Sequence, residues 1–398
     1  MNTTIVGGGF GGIKTALELA KDRKNDIVLI SDKEDFQYYP TLYSSATGHS
    51  HVESWVPLGE IFANYPNVTV YIDTITSIDV VKKAVFGGSG TEYRYANVVF
   101  AIGTVTTYFN IPGLETYAYG IKSADEIQRL KHRLFTDIAE ERTYDKNYVI
   151  IGAGPTGVEL AAALGTYIRR LAKYYNVRER RPRIRLIEAA PRVLPRSSER
   201  VSRKVTQRLR GLGVTVQTGK KVEEATASEL IVGGNVVESH TVIWTSGVMN
   251  NPFFAAHPKV FTLAPNGKVQ VNEYLEARPN VYVIGDNAAT RYSGLAQTAL
   301  RDAKFVARNL QRKARGSARR EYRPALPVQA VPVGANWAVV EWRKLRCYGW
   351  QGSLLRRAAD LIGYLDVMPL VSSLVSWRAA SVYENDYFTP SERVKRHR

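Results

Sequence analysis

Short apolar runs, each followed at once by a glycine turn and then by a helical pattern, occur twice in this chain. The first is Thr3-Thr4-Ile5-Val6, a turn over 7–12 and a helix over 13–20, with the strand Ile27-Val28-Leu29-Ile30 after it. The second is Tyr148-Val149-Ile150-Ile151, a turn over 152–157 and a helix over 158–171. Ile184-Arg185-Leu186-Ile187 follows an arginine-rich loop at 178–183. Strands that are apolar at consecutive positions are buried on both faces, as in a parallel sheet covered by helices. Two such units, their glycine turns 145 residues apart, predict an α/β fold with two Rossmann-like dinucleotide-binding domains.

Further strands end in glycine at Val98-Val99-Phe100-Ala101-Ile102-Gly103 and at Val281-Tyr282-Val283-Ile284-Gly285-Asp286, and a helix is predicted over 295–313. Hinges at Ile111-Pro112-Gly113 and near 274–279 partition the chain. Residues 1–111 with 275–325 form one discontinuous domain, 112–274 a second, and 326–398 a C-terminal segment ending in a basic tail that is expected to be disordered over 391–398. In that segment 337–342 and the stretch around Cys347 read as strands, and 352–377 as helix interrupted at Pro369. Leu354, Leu355, Ala358, Leu361, Ile362 and Leu365 share one helical face, with Arg356, Arg357 and Asp360 off it; Leu370, Val371, Leu374 and Val375 repeat the spacing.

Composition changes this picture in a few respects. The 398 residues, 44% hydrophobic and 23% charged, are ordinary for a globular chain with two or three cores. Against 37 Asp+Glu, 54 Lys+Arg leave a net charge of +17, which attracts polyanions or anionic lipid without choosing between them. Cys347 is the one cysteine, so no intramolecular disulfide and no paired-thiol redox centre can form. That excludes flavoenzyme chemistry routed through two cysteines. No run of 18 or more apolar residues predicts a transmembrane helix, and the first residues enter a strand directly. Without a secretory signal the chain is expected on the cytoplasmic side.

Gly7-x-Gly9-x-x-Gly12 follows a strand and opens a helix, the context a dinucleotide fingerprint requires. The first glycine makes the turn and the second admits a pyrophosphate to the N–H groups at the helix start, beginning with Phe10. The third lets helix and strand pack closely. Asp32, one residue past the usual register at Ser31, is the candidate ribose carboxylate; the alternative is a solvated loop with Lys33, Glu34 and Asp35. Gly152-x-Gly154-Pro155-Thr156-Gly157 is the second fingerprint, and Glu188 ends its second strand. A carboxylate there accepts from both ribose hydroxyls and repels a 2′-phosphate, favouring NADH over NADPH, although Arg192 lies nearby. Two fingerprints imply two dinucleotides, and hydride transfer between them makes one FAD and one NADH the economical pairing. Gly103, Gly285 and Asp286 join the FAD candidates and Gly247 the NAD candidates; no metal site is predicted.

Taken together these segments resemble the two-dinucleotide-binding-domain flavoproteins and, within them, the type II NADH dehydrogenases (alternative NADH:quinone oxidoreductases). The resemblance runs from residue 1 to about 325. It rests on Val6 with the glycines to Gly12, Tyr39-Pro40-x-Leu42-Tyr43, Ala46-Thr47-Gly48, Asn110-Ile111-Pro112-Gly113-Leu114, the second fingerprint through Val158-Glu159-Leu160, Gly285-Asp286 and Ala296-Gln297-Thr298-Ala299. It implies that 1–111 with 275–325 binds FAD and 112–274 binds NADH. The enzyme it implies takes a hydride from NADH and passes two electrons to a membrane quinone without proton pumping. In that family an AQxAxQ segment lies beside the flavin where quinone docks. The resemblance therefore puts Ala296 at the flavin and Gln297 at the acceptor site, while Arg301 replaces the second glutamine and faces a quinone carbonyl or an acidic acceptor. Glu159 matches a family glutamate near flavin and nicotinamide, placed to position the nicotinamide or relay a proton; the alternative is a carboxylate that stabilises the helix dipole. Ile102 stands where the family usually has Thr.

A lipid-soluble quinone places such an enzyme at a bilayer. Roughly six large apolar side chains on the C-terminal helical face, at ~1.5–3 kcal/mol each, suffice for monotopic attachment at the cytoplasmic face of the membrane. The same face could instead pack on the chain's own core or on a second subunit, which leaves a homodimer open. Two other functions compete: reduction of a soluble protein acceptor such as a ferredoxin, and nucleic-acid binding by a basic flavoprotein. The latter needs the arginines at 169–185 and 312–323 on one face, and nucleic acid is not the expected partner.

Overall fold

Each of the two glycine turns sits at the end of the central strand of its own parallel sheet in the computed structural model, which describes residues 2–178 and 181–384. The predicted basic tail lies outside the described residues. In the first unit β1 (Asn2–Val6), α1 (Phe10–Ala20), β2 (Asp26–Ser31), β3 (Val68–Ile72) and β4 (Asn97–Phe100) follow in order, and β5 (Thr104–Thr106) leads out. The second unit contains α2 (Ala124–Phe135), β6 (Tyr148–Ile151), α3 (Pro155–Tyr174), β7 (Ile184–Glu188), α4 (Glu199–Gly211), β8 (Val214–Thr218) and β9 (Thr241–Trp244). β10 (Val248–Asn250) leads back to β11 (Val281–Val283) and α5 (Ala296–Ala314). The chain then forms an antiparallel sheet of β12 (Gln329–Pro332), β13 (Ala338–Trp342) and β14 (Leu345–Tyr348), and two helices, α6 (Gly349–Leu365) and α7 (Leu370–Ala379).

The first sheet has the order β11-β4-β1-β2-β3, all parallel, with Glu276–Arg278 as an antiparallel edge. The second has the order β9-β6-β7-β8, extended by a short parallel strand at Ala118–Tyr119. In each, the order reverses beside the strand that carries the glycine turn, and this is where open α/β sheets bind ligands. The registers match as well. Val6 pairs with Ile30 and Phe100, and Ile151 with Ile187 and Trp244, so Gly7 stands level with Ser31 and Ala101, and Gly152 with Glu188 and Thr245. Three residues past β4 and β9 come Gly103 and Gly247, both with positive φ. Immediately beyond them β5 and β10 pair antiparallel, Thr104 opposite Asn250, and tie the two units together.

The C-terminal segment has a share in both cores. Val331, Val333 and Val339 pack with α3 and the second sheet, whereas Tyr364, Val367 and Met368 join Phe10, Phe36 and Tyr38 of the first unit. Its two helices are turned inside out. α6 buries Gly352, Arg356 and Tyr364, and α7 buries Ser372, Ser373, Ser376 and Ala379. Leu354 (63%), Ile362 (63%), Leu370 (61%) and Val371 (72%) stay exposed. Among the described residues this apolar face does not pack on the chain's own core, one of the alternatives open from the sequence.

Candidate active site

Helices α2 and α4 are closed at their N-termini by serines: Ser123 accepts from the Glu126 N–H and Ser198 from the Val201 N–H. Helices α1, α3 and α5 begin at Gly9, Gly154 and Leu295 with no side-chain cap and no acidic residue in the first turn. Their first N–H groups and positive dipole ends are thus available to an anion. A Cβ on Gly9 or Gly154 would meet nothing within 4 Å, so both turns open on free space. The other glycines are held tightly. A Cβ on Gly7 would lie 2.3 Å from the Ala101 carbonyl oxygen, on Gly12 1.8 Å from that of Gly7, and on Gly157 1.8 Å from that of Gly152. Two cradles shaped for a pyrophosphate fit two dinucleotides. Phe10 contributes its backbone only, since its ring packs against Phe36 at 5.0 Å. Pro155 and Thr156 are exposed at the start of α3.

At the second cradle the Glu188 carboxylate accepts from the Ala153 N–H at 2.6 Å and the Ala190 N–H at 2.8 Å. Arg192 is spent on its own loop, donating to the carbonyls of Ser197 and Pro195 at 2.8 Å each. Gly247 stands at the same level with a φ of +65°, and a Cβ there would lie 2.2 Å from the Thr107 carbonyl oxygen. At the first cradle Ser31 is absorbed in a turn with Lys33, and Asp32 is exposed one residue on. Asp32 and Asp286 both face Tyr39, although they end different strands. Burial raises the Asp286 carboxyl, with Lys268, the Gly294 N–H and Arg196 opposing the rise. Sequence reasoning missed Asn287, which is fully buried. It accepts from the Gly103 N–H at 2.9 Å and donates to the Gly103 carbonyl at 2.6 Å and to Asn250 Oδ1 at 2.7 Å. A buried amide beside Gly285-Asp286 thereby sets the backbone of the opposite strand end.

Glu159, in the second turn of α3, is 7% exposed. Burial pushes its carboxyl up; Arg356 pulls it part of the way back and Asp360 raises it. Arg356 comes from α6, and its guanidinium reaches four elements. It contacts Glu159 Oε1 at 3.5 Å and Asp360 at 2.9 Å, and donates to the carbonyls of Ala330 at 2.6 Å and Pro40 at 2.9 Å. The first unit, the second unit and the C-terminal segment therefore meet at one buried cation. Neither Arg356 nor Asp360 was among the sequence candidates. The signal was present: an Arg–Asp pair four residues apart in a helix whose opposite face is leucine.

Gln297 and Arg301 engage the backbone of the linker ahead of β12. The Gln297 amide donates to the Val328 carbonyl at 3.0 Å and accepts from the Val328 N–H at 3.1 Å, while Arg301 donates to the Ala325 carbonyl at 2.8 Å. They hold the strand whose Ala330 carbonyl receives Arg356. Ala296 is half-buried at the open start of α5, and Gly285 lies against Ala299. Cys347 is half-buried on β14 and has no second cysteine.

Comparison with known proteins agrees with this arrangement. The family model for pyridine nucleotide-disulphide oxidoreductases matches residues 1–303. A type II NADH:quinone oxidoreductase of Mycobacterium tuberculosis is 31% identical over 94% of this chain and 86% of its own length. A demethylphylloquinone reductase of Synechocystis is 29% identical over 84% of this chain and 83% of its own. The structure of NDH2 from Plasmodium falciparum in complex with NADH shares the fold at a TM-score of 0.84, covering 98% of this chain and 99% of that one at 17% identity.

Proposed function

The chain belongs to the pyridine nucleotide-disulphide oxidoreductase family and, within it, to the type II NADH:quinone oxidoreductases, and we propose that α6 and α7 connect its redox site to the membrane. It is a FAD-dependent oxidoreductase that oxidises NADH and reduces quinone. A soluble protein acceptor is not favoured. Bound FAD supplies the two-electron relay between nicotinamide and quinone. Residues 1–111 with 275–325 would hold it through the Gly7–Gly9–Gly12 cradle, Asp32, Gly103, Gly285-Asp286 and Ala296. Residues 112–274 would hold NADH through Gly152, Gly154, Gly157, Gly247 and the ribose carboxylate Glu188. Glu159 holds a proton at the junction, and Arg356 keeps its carboxyl in place. Gln297 and Arg301 shape the acceptor side by fixing the linker before β12.

One observation carries the membrane reading. A single helix, α6, presents Arg356 to Glu159 on its inner side and Leu354 and Ile362 on its outer side. An exposed apolar helix face of this kind marks an interaction site, and no helix among the described residues is long and apolar enough to cross a membrane. Lipid is thus the medium that satisfies the outer face, by lying against it. Arg357 and Arg378 on the same helices suit anionic headgroups. The attachment is on the cytoplasmic face, where NADH is available. Flotation with phosphatidylcholine–phosphatidylglycerol vesicles tests this in a Leu354→Glu, Ile362→Glu, Val371→Glu variant. The wild type floats with the vesicles and reduces a long-chain quinone in them. The variant stays in solution and keeps its turnover with a short-chain quinone; flotation of the variant like the wild type sinks the proposal.

A further inference from the structure

The seam between the loop at 38–54 and the C-terminal helices holds a second buried carboxylate that the reaction above leaves unused. Glu53, the last residue of the turn His51–Glu53, is 1% exposed. Both its carboxylate oxygens are enclosed and lack a hydrogen bond of full geometry, the Ser44 hydroxyl being the polar neighbour. The other charged and titratable groups that face it are Tyr43, Lys131 of α2, Arg356, Asp360 and Tyr364 of α6, and Glu384 beyond α7. Burial pushes the carboxyl up to about 8, so it carries a proton at neutral pH.

This carboxyl is influenced by Glu384 on one side and by Arg356 and Asp360, which adjoin Glu159, on the other. On the outer side Ser50 Oγ donates to Glu384 Oε1 at 2.5 Å, and the half-exposed His51 places Nδ1 3.0 Å from Oε2. On the inner side Arg356 joins Asp360 to Glu159. Hydroxyls cluster around the Glu53 backbone: Thr41 Oγ1 is 2.9 Å and Ser45 Oγ 2.8 Å from Ser54 Oγ, either partner able to donate, and the Tyr364 hydroxyl donates to the Glu53 carbonyl at 2.6 Å. These hydroxyl pairs can reverse their direction of donation, as proton transfer requires.

We propose that Glu53 is the proton store for quinone reduction, loaded from solvent through His51 and Glu384 and discharged toward Glu159. The proposal rests on the quinone reading above. The overall reaction converts NADH, one proton and quinone into NAD⁺ and quinol. The hydride brings both electrons and one hydrogen, and the second hydrogen is a proton drawn from water. Glu53 gives up one proton per turnover and is reprotonated through His51, so it ends unchanged. It acts through Glu159 and is a positioning residue for the proton, away from the reacting atoms.

The test compares an acceptor that takes up protons with ferricyanide, which takes only electrons. In Glu53→Gln the kcat for short-chain quinone falls by about tenfold or more, and the basic limb of its pH profile near 8 disappears. Ferricyanide turnover and the KM for NADH stay at wild-type values, the melting temperature does not fall, and Glu53→Asp recovers part of the quinone rate. Glu384→Gln gives a smaller fall in the same direction and serves should Glu53→Gln not fold. Equal losses with both acceptors, or an unchanged quinone profile, overturn the proposal. A wild-type enzyme that reduces ferricyanide but no quinone would instead overturn the quinone reading, before any variant is made.

Discussion

Helices α3 and α6 touch at Glu159 and Arg356, yet they are built on opposite principles. α3 buries Val158, Leu160, Leu164, Ile168 and Leu171 against its own sheet. α6 buries an arginine, and its leucines face outward. For α3 the apolar stripe is the source of stability, because core burial removes it from water. For α6 the polar side is the lock, and the apolar side stays exposed. A hydrophobic stripe on a helix thus says that the face leaves water, but not what receives it.

Substitutions at the two helices separate these roles. The largest effect is expected for Arg356→Met, which leaves Asp360 buried without its cation and costs about 3–5 kcal/mol. Adding Asp360→Asn should restore part of that loss; denaturant unfolding of the single and double variants measures it, and additive losses would mean the pair is not coupled. Next comes the contrast of two leucines. Leu164→Ala in α3, at a fully buried position, is expected to cost about 2–5 kcal/mol. Leu354→Ala in α6, at 63% exposure, should stay within about 0.5 kcal/mol in vesicle-free buffer. A comparable loss for Leu354→Ala would show that its face is already packed, on a second subunit for instance.

A different effect is a slope with pH in the seam beneath α6. Burial raises the Glu53 carboxyl from 4.5 to about 8, so the folded chain binds this proton more tightly than the unfolded chain. Its contribution to stability is complete below about pH 4.5 and is lost as pH rises to about 8. The unfolding free energy of Glu53→Gln should therefore gain on that of the wild type through this window and run parallel above it. Parallel curves throughout would mean that Glu53 is ionised at neutral pH.

The chain's local pattern was enough to foresee both glycine turns, the strands they follow, Glu188 at the end of β7 and Asp286 after β11. These features repeat within short stretches, and backbone sterics with the helix dipole dictate them wherever they occur. The apolar face of α6 and α7 was legible for the same reason, since the helical period is local. The partners of those elements were not legible. Arg356 reads along the chain as a polar residue beside leucines, and Asn287 as part of a turn. Only folding carries Arg356 to Glu159, 197 positions away, and Asn287 to Gly103, 184 positions away. The contacts of Gln297 and Arg301 were not legible for the same reason, because the linker that engages them approaches only in three dimensions. The amino-acid sequence by itself determined where each glycine turn lies and which helix face is apolar. The tertiary structure decided which charge is buried against which, because the cost of burying a charge depends on partners that distant segments supply.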